Sequence, residues 1–592
     1  MDIYRKYFSA IALFLLTWST AQAYTMPVGI PDTEIAFDQT APDRPLDWSS
    51  EIKGYYYINA TNGSNSMTYG SESQPRKSIP WPVPAGSYVE IEGSYSVTSG
   101  GSIKIYGQGT NDNWVAGESG PVWVTSSKNE KGYFTSAKTI IWGKNIFITD
   151  LIFKEKSTIQ VGSLASGYTA NNIVISNNEI IGYSSMGNGE LLSAKGNKDS
   201  KTENIIFYNN IVRDAGDLES TSDIDAGLIG AAGYVSYIWI LNNTGYNSSG
   251  SGLQVNPSKP REASHNIYAG NNEFYNVRQS GLIVKYATDV VFSSNYVHNV
   301  ISTSWSPSKG LAAQYEPDGL WIINNIIHDV EYGIRVASTN SIDDTTLKIY
   351  LINNIIYNVE TSKTVGTSSS WESAAIHLQG GDEKYVYNNL IYNAPNGIDL
   401  SNTSGYTEVK NNIIENLTSS HSPDESGYHI WSENLSASSN VSISNNYLGL
   451  NSSEQIKVKI TSSTYTSSTL LNSALQSNAA DLVYNISGND DIAGNIINNF
   501  IDFEGNNLDI FDAITNIDSI TAYDTKMKDG GYDISDILDT TMSETLYGEI
   551  IDKDILGNPR KIGSIDIGPF EASTSQTTSL PTPPGSLSVT NK

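Results

Sequence analysis

The sequence has no cysteine among its 592 residues, and it has little positive charge. The missing cysteines exclude disulfide bonds and cysteine-ligated metal sites. Only 35 lysines and arginines stand against 63 aspartates and glutamates, a net charge of −28, which weighs against a nucleic acid partner. A surface this acidic instead suits solubility, salt tolerance or the binding of Ca²⁺.

Long apolar runs are also missing, apart from one near the N-terminus. Arg5 and Lys6 precede the apolar residues 11–16, and residues 21–23 form a small-residue cleavage site. This series is typical of a secretory signal peptide, and its apolar run is too short to span a membrane. We therefore predict a secreted protein, extracellular or periplasmic, without a membrane span and cleaved after Ala23.

One pattern recurs from about residue 170 to 450: an apolar run, an asparagine pair, an apolar doublet, a polar turn and a glycine before another apolar run. The apolar pieces alternate and are β-branched, as in residues 323–330, which is typical of short strands. Successive pairs are roughly 23 to 35 residues apart, the period of a solenoid. Counting a degenerate pair and a late one, the second positions are Asn178, Asn210, Asn243, Asn272, Asn295, Asn325, Asn354, Asn389, Asn412 and Asn446.

Asparagine is suited to the corner of a coil for two reasons. It tolerates the left-handed conformation that a tight corner requires, and its side-chain amide can bond the amide one rung along. We therefore predict a coil of parallel strands, about residues 85–500, with these asparagines stacked at one corner. The irregular rung length predicts insertions on one face, which in solenoids is often the binding face.

Both ends of the mature chain resemble one family. At the start, an aromatic strand at residues 55–58 is followed by residues 74–79, by Pro-Ala-Gly at 84–86 and by a strand at 88–91. This order resembles the opening segment of the secreted right-handed parallel β-helix (pectate-lyase-like) superfamily, which includes many polysaccharide lyases. Residues 557–571 look like the closing motif of the same group. The resemblance implies an all-β, right-handed parallel β-helix.

We predict five regions along the chain. They are a signal peptide (1–23), an N-terminal cap and first rung (24–95), the parallel β-helix core (96–450), an irregular C-terminal β region with rungs and the closing segment (451–572), and a Ser/Thr/Pro linker (573–592) that ends in the start of a further module.

Candidate site residues follow the glycine after each asparagine corner. Residues two and four positions after that glycine share one strand face, because side chains alternate along a strand. Neighbouring rungs lie about 4.8 Å apart, so these side chains would form one groove floor. Its polar residues are Gln254, Asn256, Lys285, Gln314, Arg335, His377, Gln379, Asp399 and Ser401.

This groove has the residue types that an acidic-polysaccharide lyase needs. Lys285 and Arg335, with His377, are the predicted catalytic residues. Asp223, Asp225 and Glu219 lie in a loop two rungs earlier and are predicted Ca²⁺ ligands, since that cation prefers carboxylate oxygens. The predicted substrate-binding residues are Gln254, Asn256, Tyr286, Gln314, Tyr315, Glu316 and Asp399.

The resemblance implies cleavage of a uronate-containing polysaccharide by β-elimination. The cations would neutralise the uronate carboxylate, and a lysine or arginine base would remove the acidified proton. Lys195 resembles the lysine rung of family-six alginate and chondroitin lyases and is a second cationic candidate, although the Arg-His-Gly of that family is absent from the next rung.

Two other functions stay open at this point. A β-helix glycoside hydrolase needs two carboxylates about 5–10 Å apart, which Glu316, Asp399 and Asp225 could supply. A non-catalytic polysaccharide-binding protein or adhesin needs no such pair. We expect a monomer with a polysaccharide as its partner in each case.

Overall fold

A computed structural model of the chain describes residues 24–488. The residues that it does not describe within this range are 97–100, 221, 223, 258–262, 305, 316, 338–347, 362–372, 380–382, 401–405, 419–426, 433–440, 451–456, 461–462 and 477–485. The predicted signal peptide, the closing motif at 557–571 and the tail at 573–592 lie outside the described residues.

The chain winds through three parallel stacks of strands in turn, and each full turn adds one strand to each stack. Sheet 1 contains the strands that lead into the asparagine corners, in line with their alternating apolar residues. Its strands are Tyr55–Ile58, Tyr88–Ile91, Val122–Ser126, Ala170–Ser176, Thr202–Tyr208, Val235–Leu241, Ser264–Gly270, Thr288–Ser293, Asp318–Ile323, Lys348–Ile352, Glu383–Tyr387, Tyr406–Lys410 and Val441–Ser444.

Sheet 2 begins directly after each asparagine corner and contains the apolar doublets of the repeat. Its strands are Ser94–Ser96, Tyr133–Thr135, Ile152–Lys154, Glu179–Ile181, Ile211–Ala215, Thr244–Ser248, Glu273–Val277, Tyr296–His298, Ile326–Val330, Ile355–Val359, Leu390–Ala394, Ile413–Leu417, Tyr447–Gly449 and Ile486–Gly488.

Sheet 3 contains the strands that follow the polar turn, and it carries the candidate site. Its strands are Ile103–Gln108, Thr158–Gly162, Gly189–Gly196, Ala226–Gly233, Leu253–Val255, Ser280–Lys285, Lys309–Gln314, Tyr332–Ala337, Ala374–Gln379, Ile398–Asp399, Ile430–Ser432 and Val458–Ile460. The long strand Lys138–Thr149 joins sheet 3 through its first half to sheet 1 through its second half.

These stacks make the chain a parallel β-helix, as the sequence predicts. Among the described strands, the named pairings are parallel except one, in which Ser463–Tyr465 runs antiparallel to Val458–Ile460. The helix Ser468–Gln476 follows this pair. Crossover connections between parallel strands of one sheet are right-handed in about 98% of cases, so a right-handed coil is expected. In the described part of the chain, no helix has the length and apolar character that crossing a membrane requires.

The asparagine corner between sheets 1 and 2 is confirmed, and the two residues of each pair have different roles. The first residue takes the left-handed conformation, with φ of 56° at Asn177 and 56° at Asn324. The second is buried and bonds the next rung: Asn325 Nδ2 donates to Asn354 Oδ1 at 3.0 Å and to the Phe292 carbonyl at 2.9 Å. The same side-chain bond links each successive pair from Asn178 to Asn446.

Apolar side chains fill the coil interior, and a second apolar layer covers the outer face of sheet 1. The N-terminal residues lie over this layer. Trp239 Nε1 donates to the Pro31 carbonyl at 3.0 Å, and Ser293 Oγ donates to the Val28 carbonyl at 2.7 Å. Trp239 and Trp321 are therefore packing residues, as their place in the repeat predicts. Sheet 1 is covered here, whereas the polar residues of the candidate site lie on sheet 3.

Candidate functional site

The outer face of sheet 3 carries the predicted residues in register. Ile283, Ala312, Arg335, His377 and Asp399 occupy equivalent positions on successive strands. Gln254 precedes them in the same row, and Lys285, Gln314, Ala337 and Gln379 form a second row two residues further along each strand. The alternate residues, such as Leu282, Val284 and Ile334, point into the core. The alternation that the sequence predicts therefore brings these side chains onto one surface.

His377 and Asp399 form a buried pair in the first row. The two side chains are 2.7 Å apart from Nδ1 to Oδ2, and both residues are buried. The carboxylate thereby orients the imidazole, as in many His–carboxylate pairs. The sequence predicts Asp399 as a substrate-binding residue and His377 as a catalytic one. The structure places both of them behind the surface, with Asp399 against His377.

Arg335 stands on the strand before His377 and is half-buried. Its guanidinium carbon lies 5.2 Å from the centre of the Tyr332 ring, and that ring meets the His377 ring edge-on at 5.6 Å. Burial is the main cause that lowers the pKa of Arg335, while Tyr332 and Asp399 act in the opposite direction. Tyr332 therefore connects the arginine with the His377–Asp399 pair.

Lys309 is a buried lysine on the strand next to that of Lys285, and the sequence prediction missed it. Its Nζ donates to Ser306 Oγ at 2.7 Å and to the Pro307 carbonyl at 2.8 Å. Burial, then the positive charge of Arg335, are the main causes that lower its pKa to about 7, and Lys285 lowers it further. Lys309 precedes its glycine, whereas the prediction counted only residues after each glycine. Its place in the repeat was visible in the sequence, but its orientation was not.

Lys285 is half-buried, and its charge reaches Lys309. Burial lowers its pKa, and the charge of Asp225 partly offsets this effect. Asp225 itself accepts a hydrogen bond from Gln279 Nε2, and its backbone NH donates to Asn188 Oδ1 at 3.0 Å. Three cationic side chains, Lys285, Lys309 and Arg335, are therefore gathered here, together with the carboxylates of Asp225 and Glu331.

Two tyrosines flank the cations. The rings of Tyr286 and Tyr315 stack at 4.6 Å with 1° between their planes. Both residues take the left-handed conformation, with φ of 54° and 68°, directly after Lys285 and Gln314. Tyr315 is 37% exposed, so the stack presents an aromatic surface at the edge of the site.

The remaining predicted residues are less well placed or are outside the described part. Gln254, Asn256 and Gln314 are half-buried and contribute amides to the surface. Glu316, Ser401 and Asp223 lie outside the described residues. Lys195 is ion-paired with Glu190 at 2.9 Å, several rungs from Lys285.

Two of the three predicted calcium ligands, Asp225 and Glu219, lie among the residues that the structure describes. Among these, no group of three or more histidines, aspartates and glutamates is arranged to hold a metal ion. Asp225 is engaged by Gln279, and Glu219 is exposed in a turn. Asp223, the third predicted ligand, lies outside the described residues, so the Ca²⁺ site stays a prediction.

No protein-family model matches the chain, and no curated protein matches it. A GH136 lacto-N-biosidase from Eubacterium ramulus is 10% identical with a TM-score of 0.36, over 69% of this chain and 67% of that one. PfbA, a surface adhesin of Streptococcus pneumoniae, is 12% identical with a TM-score of 0.32, over 64% and 86%.

A mannuronic acid-specific family 6 polysaccharide lyase from human gut microbiota is also similar in structure. It is 12% identical with a TM-score of 0.32, over 73% of this chain and 93% of that one. Likenesses at these scores carry no argument about activity. The function must be argued from the side chains on sheet 3.

Proposed function

We propose that this protein is a secreted carbohydrate-active enzyme, a polysaccharide lyase that cleaves a uronate-containing polymer by β-elimination on sheet 3. The observation that supports it best is the cluster of Lys285, Lys309 and Arg335. Burial lowers the pKa of each, and for Lys309 the neighbouring positive charges lower it further. A bound carboxylate would relieve that repulsion, so the cluster favours an anionic ligand.

Each step of the reaction has a residue in this cluster. Arg335 would hold the uronate carboxylate, with the charge of the buried Lys309 behind it, and the neutralised carboxylate makes the neighbouring C–H more acidic. Lys285, whose pKa is lowered by burial, would take that proton as the free amine. The electron pair then forms a C=C bond, the C–O bond at the β-carbon breaks, and the leaving oxygen takes the proton back from Lys285. His377 and Asp399 position Arg335 through Tyr332.

The hydrolase alternative has weaker support. Of its three candidate carboxylates, Asp399 is paired with His377 and Asp225 accepts a bond from Gln279. Glu316 lies outside the described residues. A hydrolase needs one carboxyl group to protonate the leaving oxygen and another to assist the attack on the sugar. Asp399 is buried against His377, and the half-buried Asp225 is engaged by Gln279.

The test is a panel of uronate and neutral polysaccharides incubated with the purified mature protein. The unsaturated end that β-elimination creates absorbs ultraviolet light, so the proposal predicts rising absorbance with at least one uronate polymer. New reducing ends without absorbance would favour the hydrolase, and binding without cleavage would favour the adhesin. Either result would contradict the lyase proposal.

A further inference from the structure

We propose that four aromatic residues near the N-terminal end of sheet 3 form a remote sugar-binding subsite for the polymer that is cleaved at Lys285. These residues, which we call the aromatic platform, are Trp81, Tyr106, Trp142 and Tyr168. The inference rests on the proposed function for its substrate, an acidic polysaccharide. The residues of the platform play no part in the chemistry described above.

The aromatic platform is one continuous group of rings. Tyr106 and Trp142 are in register on neighbouring strands, and their rings stack at 5.5 Å. Trp81 contacts the Trp142 ring at 5.1 Å and the Tyr106 ring at 5.8 Å. Tyr168 meets Trp142 edge-on at 4.8 Å. The other three rings thus surround Trp142 on the outer face of sheet 3.

Exposure distinguishes Trp81 from an ordinary packing residue. Trp142 is 9% exposed, but Trp81 is 56% exposed and is the only tryptophan among the exposed large apolar residues of the described part. A tryptophan left in water loses the burial that normally stabilises it, so a large exposed ring indicates a binding surface. Sugar rings present apolar C–H faces that stack on such rings.

Polar groups stand around the aromatic platform where sugar hydroxyls or carboxylates would lie. Lys104 Nζ lies 5.8 Å from the centre of the Tyr168 ring. Gln108 Nε2 donates to the Tyr106 hydroxyl at 3.5 Å, and both Lys104 and Gln108 are exposed. An apolar floor with polar side chains at its edge is the usual make-up of a ligand site. The lysine suits an acidic sugar.

The aromatic platform lies in line with the cation cluster. One row of residues pairs in register from strand to strand of sheet 3: Ile140, Gln160, Ser193, Gly230, Gln254 and Ile283. Trp142 lies two residues after Ile140 on its strand, and Lys285 lies two residues after Ile283 on its own strand. These two strands are five rungs apart. At about 4.8 Å a rung, they are about 24 Å apart. A polymer lying along the coil axis can therefore reach both, and Lys195 stands between them.

This arrangement predicts that chain length decides affinity. An oligosaccharide too short to span about 24 Å can occupy the cation cluster alone. A longer one also contacts the aromatic platform, and it binds more tightly because the second contact is made within the same complex. Interior cleavage of long chains follows from this arrangement, because the substrate extends well beyond the reacting sugar.

The experiment uses Trp81→Ala in the mature protein, with Trp81→Phe to keep a ring and Tyr237→Ala as the matched control. Tyr237 is 43% exposed but stands on sheet 1. Uronate oligosaccharides of graded length are titrated against each protein, and turnover is followed on the same series. Thermal unfolding of each variant checks that the fold is retained.

We expect Trp81→Ala to weaken binding of long chains about tenfold, with short chains bound and cleaved as by the unchanged protein. Trp81→Phe should keep most of the affinity, and Tyr237→Ala should change nothing. Unchanged affinity of Trp81→Ala for long chains would overturn the subsite and leave the lyase proposal intact. Trp81-dependent binding of a neutral polymer, without uronate cleavage, would retain the subsite and contradict the lyase.

Discussion

His377 and Asp399 occupy equivalent positions on adjacent rungs of sheet 3, and their side chains are joined at 2.7 Å from Nδ1 to Oδ2. Twenty-two residues separate them in the chain. The coil brings them together because each turn returns the chain to the same sheet. The pair lies behind Arg335 and Tyr332, so it can hold the arginine without touching the substrate.

Replacing Asp399 tests whether this pair acts as a unit. We expect Asp399→Asn to lower kcat roughly 10- to 100-fold, since a small displacement of Arg335 misplaces the substrate carboxylate. His377→Asn should have a similar effect, and the double variant should lose no more than either single one. A double-mutant cycle on kcat measures this coupling. Additive losses would show that the two residues act independently.

Lys285→Ala tests the proposed base. Loss of a proton-abstracting group costs roughly 10²- to 10⁴-fold in rate, so turnover should fall by that amount. The fold should be retained because Lys285 is half-buried on the outer face and outside the core. Initial rates by ultraviolet absorbance provide the measurement, with Lys128→Ala, exposed after the sheet 1 strand Val122–Ser126, as the lysine control. Full activity of Lys285→Ala would place the base elsewhere, and Lys195 would be tested next.

Lys309 should make stability depend on pH in a definite direction. Its pKa is lowered from 10.5 to about 7 in the folded protein, so the unfolded chain binds more protons between these values. Stability therefore rises with pH above 7, and the destabilisation is complete below it. Relative to Lys309→Met, the unchanged protein should gain about 2 kcal/mol between pH 7 and pH 9.

The measurement for Lys309 is denaturant unfolding of both proteins across this pH range. The difference between them isolates the lysine from other titrating groups. A difference in unfolding free energy that does not change with pH would show that Lys309 keeps an ordinary pKa in the folded state.

The asparagine ladder should be costly to interrupt. Asn325 accepts bonds from the Asn295 side chain and backbone and donates to Asn354 and Phe292, all without exposure to water. Asn325→Ala leaves these groups unpaired, so we expect a loss of about 2–4 kcal/mol in unfolding free energy. Asn113→Ala, at an exposed position, is the control and should stay within about 0.5 kcal/mol. Equal stabilities of the two variants would contradict the ladder's role.

The coil and its asparagine corner were predictable because they repeat. Each rung has the same alternation of apolar and polar residues, so a rung with an ambiguous pattern can be assigned from its neighbours. The split of roles within a pair was not predicted: Asn324 takes the left-handed turn, while Asn325 makes the ladder bond. The left-handed turn and the side-chain bond are both expected of asparagine, but only the backbone geometry shows that different residues of the pair provide them.

The candidate site was less predictable, because pairs across rungs depend on register and rotamer. The sequence places Arg335 and His377 on one face, and the structure does the same. The sequence could not show that the Asp399 side chain would bond His377, or that the Lys309 side chain would bond Ser306. Inserted turns of irregular length decide these contacts, and no repeat constrains them.

Cleavage in water enriched in the heavy oxygen isotope tests the central claim most directly. The mature protein is incubated with a uronate polymer that it cleaves, and the products are weighed by mass spectrometry. β-Elimination adds no water, so the account predicts products without the heavy isotope and with one unsaturated end at each cut. Products that carry one heavy oxygen at each cut would show hydrolysis and contradict it.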